Sequence, residues 1–290
     1  MLQNNTIKLH LTVFIWGFTA ILGQLITKSA LILVWYRLLI ACIALFLYLK
    51  WNKVSFRLEM NHLWRFLSIG FIVALHWVFF YDSIKVSKIS VSLVALSSIT
   101  LFTGILDPLL NRRKVDWLDI WIGLAIMVGI LFIFKYESNY ALGTFLGIMA
   151  ALLASLFTIF NSREVKKNPI ILVSFYELFG GFILISSYIG VTGQFTRTNL
   201  HLIPSDLIYL IILGVVCTAL AYVMGFAVMK TLSPYTVNLI TSLEPIYGII
   251  LAFLFFGKSE ALKPGFYLGA FIILCAIFMH PVIKNLKGRF

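Results

Sequence analysis

The sequence predicts an all-α polytopic membrane protein, with ten transmembrane helices in two inverted five-helix repeats. Three observations predict it. The 290-residue chain is 61% hydrophobic and 12% charged, whereas soluble domains carry roughly 25% charged residues. Apolar runs recur along its whole length, each long enough to cross a bilayer core of about 30 Å. Segments of the first half also return, in the same order, in the second.

The expected spans are residues 9–27, 31–49, 63–84, 87–110, 117–134, 141–162, 170–192, 206–229, 233–256 and 265–283. Their unbroken apolarity means helices, because β-barrel strands alternate over about ten residues. The first span is not expected to be a removable signal, since Lys28 blocks its small-residue exit and further spans follow at once. The second carries Arg37, and the third His76-Trp77, too deep for an interfacial aromatic belt. The fourth has a polar stripe, Ser90, Ser97, Thr100, Gly104 and Asp107, that suits either packing or cavity lining. Asp107 is expected to pair with the basic run Arg112-Arg113-Lys114. The fifth is an unbroken apolar run. In the sixth, Gly143, Gly147, Ala151 and Ser155 repeat every four residues, a seam that lets helices approach closely. The seventh contains Glu177, and the eighth Thr218 and Tyr222 one turn apart. The ninth holds Glu244-Pro245 near its centre, and the tenth is again apolar.

Basic residues set the expected orientation. Lys28, Lys85, Lys88, Lys135, Arg197, Lys258 and Lys263 fall on one side; apart from Arg37, the rest of the 23 Lys and Arg fall on the other. The positive-inside rule then puts both termini in the cytoplasm. The net charge of +12 is mostly this topology signal, which excludes reading it as nucleic-acid binding. Cys42, Cys217 and Cys275 lie within spans and read as buried free thiols.

The repeat is legible in short matches. Residues 30–38, ALILVWYRL, match 170–178, IILVSFYEL, and WGFTAIL at 16–22 matches SLFTIFN at 155–161. SKISVSLVALSS at 87–98 matches SPYTVNLITSLE at 233–244, and Gly123 pairs with Gly269 at the same spacing. The two units are 1–137 and 138–290. Five spans per unit turn the second upside down, an architecture of secondary transporters with a midplane site between repeats.

Several of these residues also carry a family resemblance. Trp16-Gly17 in the first span, Arg37 in the second, and the ninth-span proline followed by LFFGKSE at 254–260 resemble the EamA family of the drug/metabolite transporter superfamily. The resemblance covers essentially the whole chain and is densest at 243–260. It implies secondary transport, with export of amino acids or related small metabolites. Uptake, or uncoupled diffusion of amines or sugars, remains open, as does a non-transport role. One departure stands out: the first-repeat counterparts of Glu244-Pro245 and Glu260 are Ser98-Ile99 and Lys114, so the halves have specialised.

Candidate site residues follow from what does not belong in lipid. A carboxylate at the bilayer centre costs about 2.5–3.5 kcal/mol or more on insertion. Glu244 is therefore expected to bind substrate or a proton, with Asn238, Thr241 and Tyr247 on its helix face and His76 and Trp77 around it. Pro245 lacks an N–H and would bend the helix and free the Thr241 carbonyl. Arg37 and Glu177 occupy equivalent positions in different thirds of the membrane, which disfavours a direct pair. Arg37 suits either an anchor for the outer end of the bundle or anion recognition. The chain carries no GxSxG, HExxH, histidine pair at metal-ligand spacing or glycine-rich phosphate loop, so neither an enzyme, a cofactor nor a nucleotide-driven pump is expected. The expected partners are a small-molecule substrate, the lipid bilayer and protons as a coupling ion. The expected location is a bacterial inner (plasma) membrane.

Overall fold

The structure is a computed structural model that describes residues 2–136, 138–260 and 263–287. Its described residues are helical, without strands, and ten helices follow one another: α1 (Leu2–Leu25), α2 (Ala30–Trp51), α3 (Met60–Val86), α4, α5 (Trp117–Tyr136), α6 (Ala141–Glu164), α7 (Ile170–Val191), α8, α9 and α10 (Pro264–Lys287). Three of them are irregular. α4 is split into α4a (Ile89–Leu96) and α4b (Ile99–Asn111), and α9 into α9a (Pro234–Thr241) and α9b (Glu244–Phe256). α8 runs from Pro204–Gly214 through a π-helical segment, Val215–Leu220, into Ala221–Met229. Prolines start several of these helices: Pro204, Pro234 and Pro264 sit in the first turn, where their missing N–H leaves nothing unsatisfied.

The two breaks are the same structure. In α9, Leu243 N–H donates to Ile240 O at 3.0 Å and Ile246 N–H to Leu243 O at 3.0 Å. In α4, Ser97 N–H donates to Val94 O at 3.0 Å and Thr100 N–H to Ser97 O at 3.3 Å. These i to i−3 bonds tighten the chain for one turn in place of regular α-helix bonding. Each pair relates to the other by the 146-residue offset of the sequence match. Pro245 therefore suits the break but does not create it, since α4 breaks with Ile99 at that place. We expect Pro245→Ala to keep the break and to change flux by less than about threefold in a reconstituted assay.

The halves of α4 and α9 cross, so that α4a packs on α9b and α4b on α9a. At the crossing Thr100 Oγ1 and Ser242 Oγ lie 2.7 Å apart, both buried. The polar stripe of α4 is thus spent on packing, and none of its five residues lines the cavity described below. Ser90 donates through its backbone and its hydroxyl to Glu260, at 3.4 and 3.2 Å, while Ile89 N–H donates to the other oxygen at 3.4 Å. Glu260 thereby caps α4a, whose own N-cap Lys88 makes no side-chain cap bond. α9a needs no such help, because the Ser233 hydroxyl accepts from Thr236 N–H at 3.1 Å. This explains why the counterpart of Glu260 is a lysine. Asp107 also differs from expectation. It accepts from Asn111, whose carboxamide oxygen accepts from Arg163 Nε at 2.8 Å, and no ion pair joins it to the 112–114 run among the described residues.

Around this crossing, α3 packs between α6 and α7, α1 lies against α8 and α9b, and α5 pairs with α10 at one edge. His280 Nε2 and Asp119 Oδ1, 2.9 Å apart, tie α10 to α5. The small-residue seam of α6 faces α3 and α4a. A Cβ at Gly147 would lie 2.6 Å from Ala95 Cβ and 3.3 Å from Ser92 O. Gly147→Leu should therefore force the helices apart and lower stability by about 1–3 kcal/mol, the usual penalty of overpacking, which a thermal-unfolding curve in detergent would register.

Candidate functional site

A cavity of about 720 Å³, counting the space through which it opens, lies at the α4–α9 crossing. It is walled by α1 (Trp16, Thr19), α2 (Arg37), α3 (His76, Trp77, Phe80), the α4 break (Leu96, Ile99), α6 (Ala154, Phe157, Thr158), α8 (Tyr222, Phe226, Met229) and α9 (Val237, Asn238, Thr241, Glu244). The lining fits a small-molecule site: mostly apolar and aromatic walls with a few convergent polar groups.

Glu244 is the first residue of α9b, 5% exposed, and accepts no hydrogen bond from the described residues. The helix break explains its presence. A carboxylate in the first turn of a helix faces the positive end of the helix dipole, worth about 0.3–1 kcal/mol and more when partly buried. Without the break, the same side chain would sit mid-helix with no such field.

Arg37 is buried beside the cavity. It is 2% exposed, with its guanidinium carbon 3.8 Å from the centroid of the Trp77 ring. Nε donates to Thr218 Oγ1 at 2.7 Å and Nη1 to the Tyr81 hydroxyl at 2.8 Å. Thr218 in turn donates to Leu213 O at 2.6 Å, five residues back, within the π-helical segment of α8. Extra width in the helix thus brings the hydroxyl under the guanidinium. No carboxylate lies within 4.0 Å of Arg37 among the described residues. Cavity walls therefore hold a buried guanidinium and a buried carboxyl that are not paired with each other.

The remaining candidates divide. Trp77 stacks under Arg37 and meets Tyr222 edge-on, with centroids 6.1 Å apart. His76 Nδ1 donates to Ala150 O at 2.8 Å, because a carbonyl only accepts, and Nε2 is left without a protein partner among the described residues. Asn238 Nδ2 donates to Thr103 Oγ1 at 2.7 Å, and the Thr241 hydroxyl to Val237 O at 2.9 Å.

Two expected residues lie elsewhere. Tyr247 is turned toward α1, packing edge-on against Phe14 at 5.6 Å and over Gly17, where an added Cβ would sit 3.1 Å from its own. Helical spacing placed it beside Thr241, but the turn at Ser242-Leu243 resets the phase of the helix. Glu177 is fully buried behind the wall, accepting from Tyr222 and Asn161.

A model of the EamA-like transporter family matches residues 7–135 and 141–280, most of the chain in two successive copies. The chain belongs to the EamA-like transporter family. It is an integral membrane transporter of the drug/metabolite superfamily. It is 21% identical over 294 residues to the uncharacterized transporter YxxF of Bacillus subtilis (strain 168), covering 98% of this chain and 90% of that one. A crystal structure of another protein superposes with a TM-score of 0.74 at 12% identity, covering 97% and 99% of the two chains, which shows a shared fold.

The EamA repeat also reveals residues the polar scan missed. Thr19 and Thr158 hold matching places in the two copies of the first repeat helix, and both line the cavity. That correspondence was the available signal. Nothing in the sequence marked Trp16, Phe80, Phe157, Phe226 or Met229 as cavity wall rather than core.

Proposed function

We propose that the cavity binds a small zwitterionic solute, of which amino acids are the simplest class. Arg37 receives its carboxylate and Glu244 its ammonium group. His76, Trp77, Asn238 and Thr241 complete the surround. The observation that carries this reading is a guanidinium and a carboxyl that line one cavity without pairing with each other. Burying a charge without a partner is unfavourable unless a ligand supplies one, and a ligand with both signs answers both residues at once. A sugar answers neither.

Transport in this reading is secondary and proceeds by alternating access, the units 1–137 and 138–290 rocking about the α4–α9 crossing. The chain sits in the bacterial inner membrane with both termini cytoplasmic, as the basic residues favour. Export as the direction rests on the family resemblance. Counterflow in proteoliposomes tests the reading, using a pooled panel of labelled amino acids, amines and sugars with wild type beside Glu244→Gln. Saturable exchange of amino acids, lost in the variant, is the expected result. Exchange confined to amines or sugars, or exchange of amino acids undiminished in the variant, would overturn it.

A further inference from the structure

Behind the cavity wall lies a second carboxyl that the substrate does not need. Glu177 is 0% exposed and is the repeat counterpart of Arg37. Its Oε2 accepts from the Tyr222 hydroxyl at 2.7 Å and from Asn161 Nδ2 at 3.1 Å. Its Oε1 is buried with no hydrogen-bond partner, and so is Asn161 Oδ1 beside it. No Lys, Arg or His lies within 4.0 Å of it among the described residues. Buried polar atoms are rarely left unpaired, and this pair lacks one donor that a single proton on the carboxyl would supply. Tyr222 itself lines the cavity, so the side chain that holds Glu177 also borders the substrate space.

We propose that Glu177 carries the coupling proton of the transport cycle and exchanges it with the cavity through the Tyr222 hydroxyl. This rests on the transport reading above and adds a proton site separate from the substrate site. The exchange balances. Tyr222 passes its O–H proton to Oε2 and accepts another on the same oxygen from the cavity side, so no charge remains on the phenol, and rotation of the carboxyl group then turns the new O–H toward the side that lacks a donor. Release runs in reverse and leaves a carboxylate held by Tyr222 and Asn161.

Glu244 also lines the cavity that Tyr222 borders and belongs to the substrate site, and the other charges around Glu177 are engaged. Arg37 on α2 is fixed by Thr218, Tyr81 and Trp77. His76 on α3 is bound to Ala150 O. Glu164, further along α6, carries the same sign as Glu177 and is engaged by His62 and Arg65 at 3.7 and 3.8 Å. Thr218 lies within the π-helical segment of α8 and Tyr222, four residues on, just beyond it. A change at Glu177 therefore acts on the same stretch of helix that positions Arg37.

The test uses the full chain in liposomes as wild type, Glu177→Gln and Tyr222→Phe, with the pooled labelled amino acids as probe. Counterflow is measured at equal pH on both sides, and accumulation under an imposed pH gradient. Infrared difference spectra between pH 5 and pH 9 are recorded without substrate. Wild type should show both transport activities and a protonated-carboxyl band that is absent from Glu177→Gln. Glu177→Gln should retain counterflow while gradient-driven accumulation falls by about tenfold or more. Tyr222→Phe should keep the band but shift it, since Oε2 loses its phenol donor, and should also weaken accumulation. Accumulation as large in Glu177→Gln as in wild type would overturn the proposal, as would wild-type counterflow with no response to the gradient. Absence of wild-type counterflow would instead sink the substrate reading, and the carboxyl band would still decide Glu177. If Glu177→Gln does not fold, Tyr222→Phe decides: an unshifted band with undiminished accumulation overturns the proposal.

Discussion

Arg37→Ala is expected to abolish amino-acid transport and to destabilise the protein. The guanidinium holds Thr218 and Tyr81 and covers the Trp77 ring. Hydrogen bonds to a charged group contribute about 1.5–3 kcal/mol each, and the cation–π contact about 0.5–2 kcal/mol. Truncation leaves a buried phenol without its donor, so a loss of about 3 kcal/mol or more in unfolding free energy should follow. Transport suffers separately, because a desolvated carboxylate that loses its partner forfeits about 2–5 kcal/mol, or at least about thirtyfold in affinity. Arg37→Lys separates the two effects. It keeps the charge but has one ammonium where the planar fork reached two hydroxyls. It should recover part of the flux and little of the stability. Wild-type flux in Arg37→Ala would remove this residue from the site altogether.

Glu244→Gln should move stability and activity in opposite directions. The carboxyl is buried, receives no hydrogen bond from the described residues, and has the field of the α9b N-terminus and the more distant charge of Arg37 in its favour. Removing its charge gives up about 0.3–1 kcal/mol of dipole interaction but relieves a desolvation penalty of about 2.5–3.5 kcal/mol. A net gain of about 1.5–3 kcal/mol in stability is expected on these figures, visible as a raised melting temperature in detergent. Flux of zwitterionic solutes should fall by about a hundredfold in the same variant. Such opposition is typical of residues kept for function at the expense of the fold. A variant that is both less stable and fully active would make Glu244 a structural strut.

The sequence carried the fold through composition and the repeat carried the architecture, because apolar runs of bilayer length admit few solutions. Polar residues within those runs pointed to most of the site: Arg37, His76, Trp77, Asn238, Thr241 and Glu244 all reach the cavity. What stayed hidden depended on local backbone departures. Tyr247 was misplaced because the phase of α9 resets at Ser242-Leu243, and the proline drew notice to one break while its twin in α4 has no residue to announce it. The polar stripe of α4 was equally ambiguous, since hydroxyls that line a cavity and hydroxyls that join two helices have the same periodicity. The π-helical segment of α8, which brings Thr218 to Arg37, has no sequence signature at all.

The hydroxyls at the α4–α9 crossing bear on how such a molecule moves. Across it, the Thr100 and Ser242 hydroxyls meet and the Ser242 hydroxyl reaches the Ser97 carbonyl. An interlocked leucine must leave its socket before two helices can slide, whereas a short hydroxyl can trade one acceptor for the next within a fraction of a turn. Thr100 already shares Ser242 with the carbonyls of Asn238 and Ser97, at 3.0 and 3.5 Å. In the alternating-access reading proposed above, the crossing would turn on short, exchangeable hydroxyl contacts instead of interlocked apolar side chains.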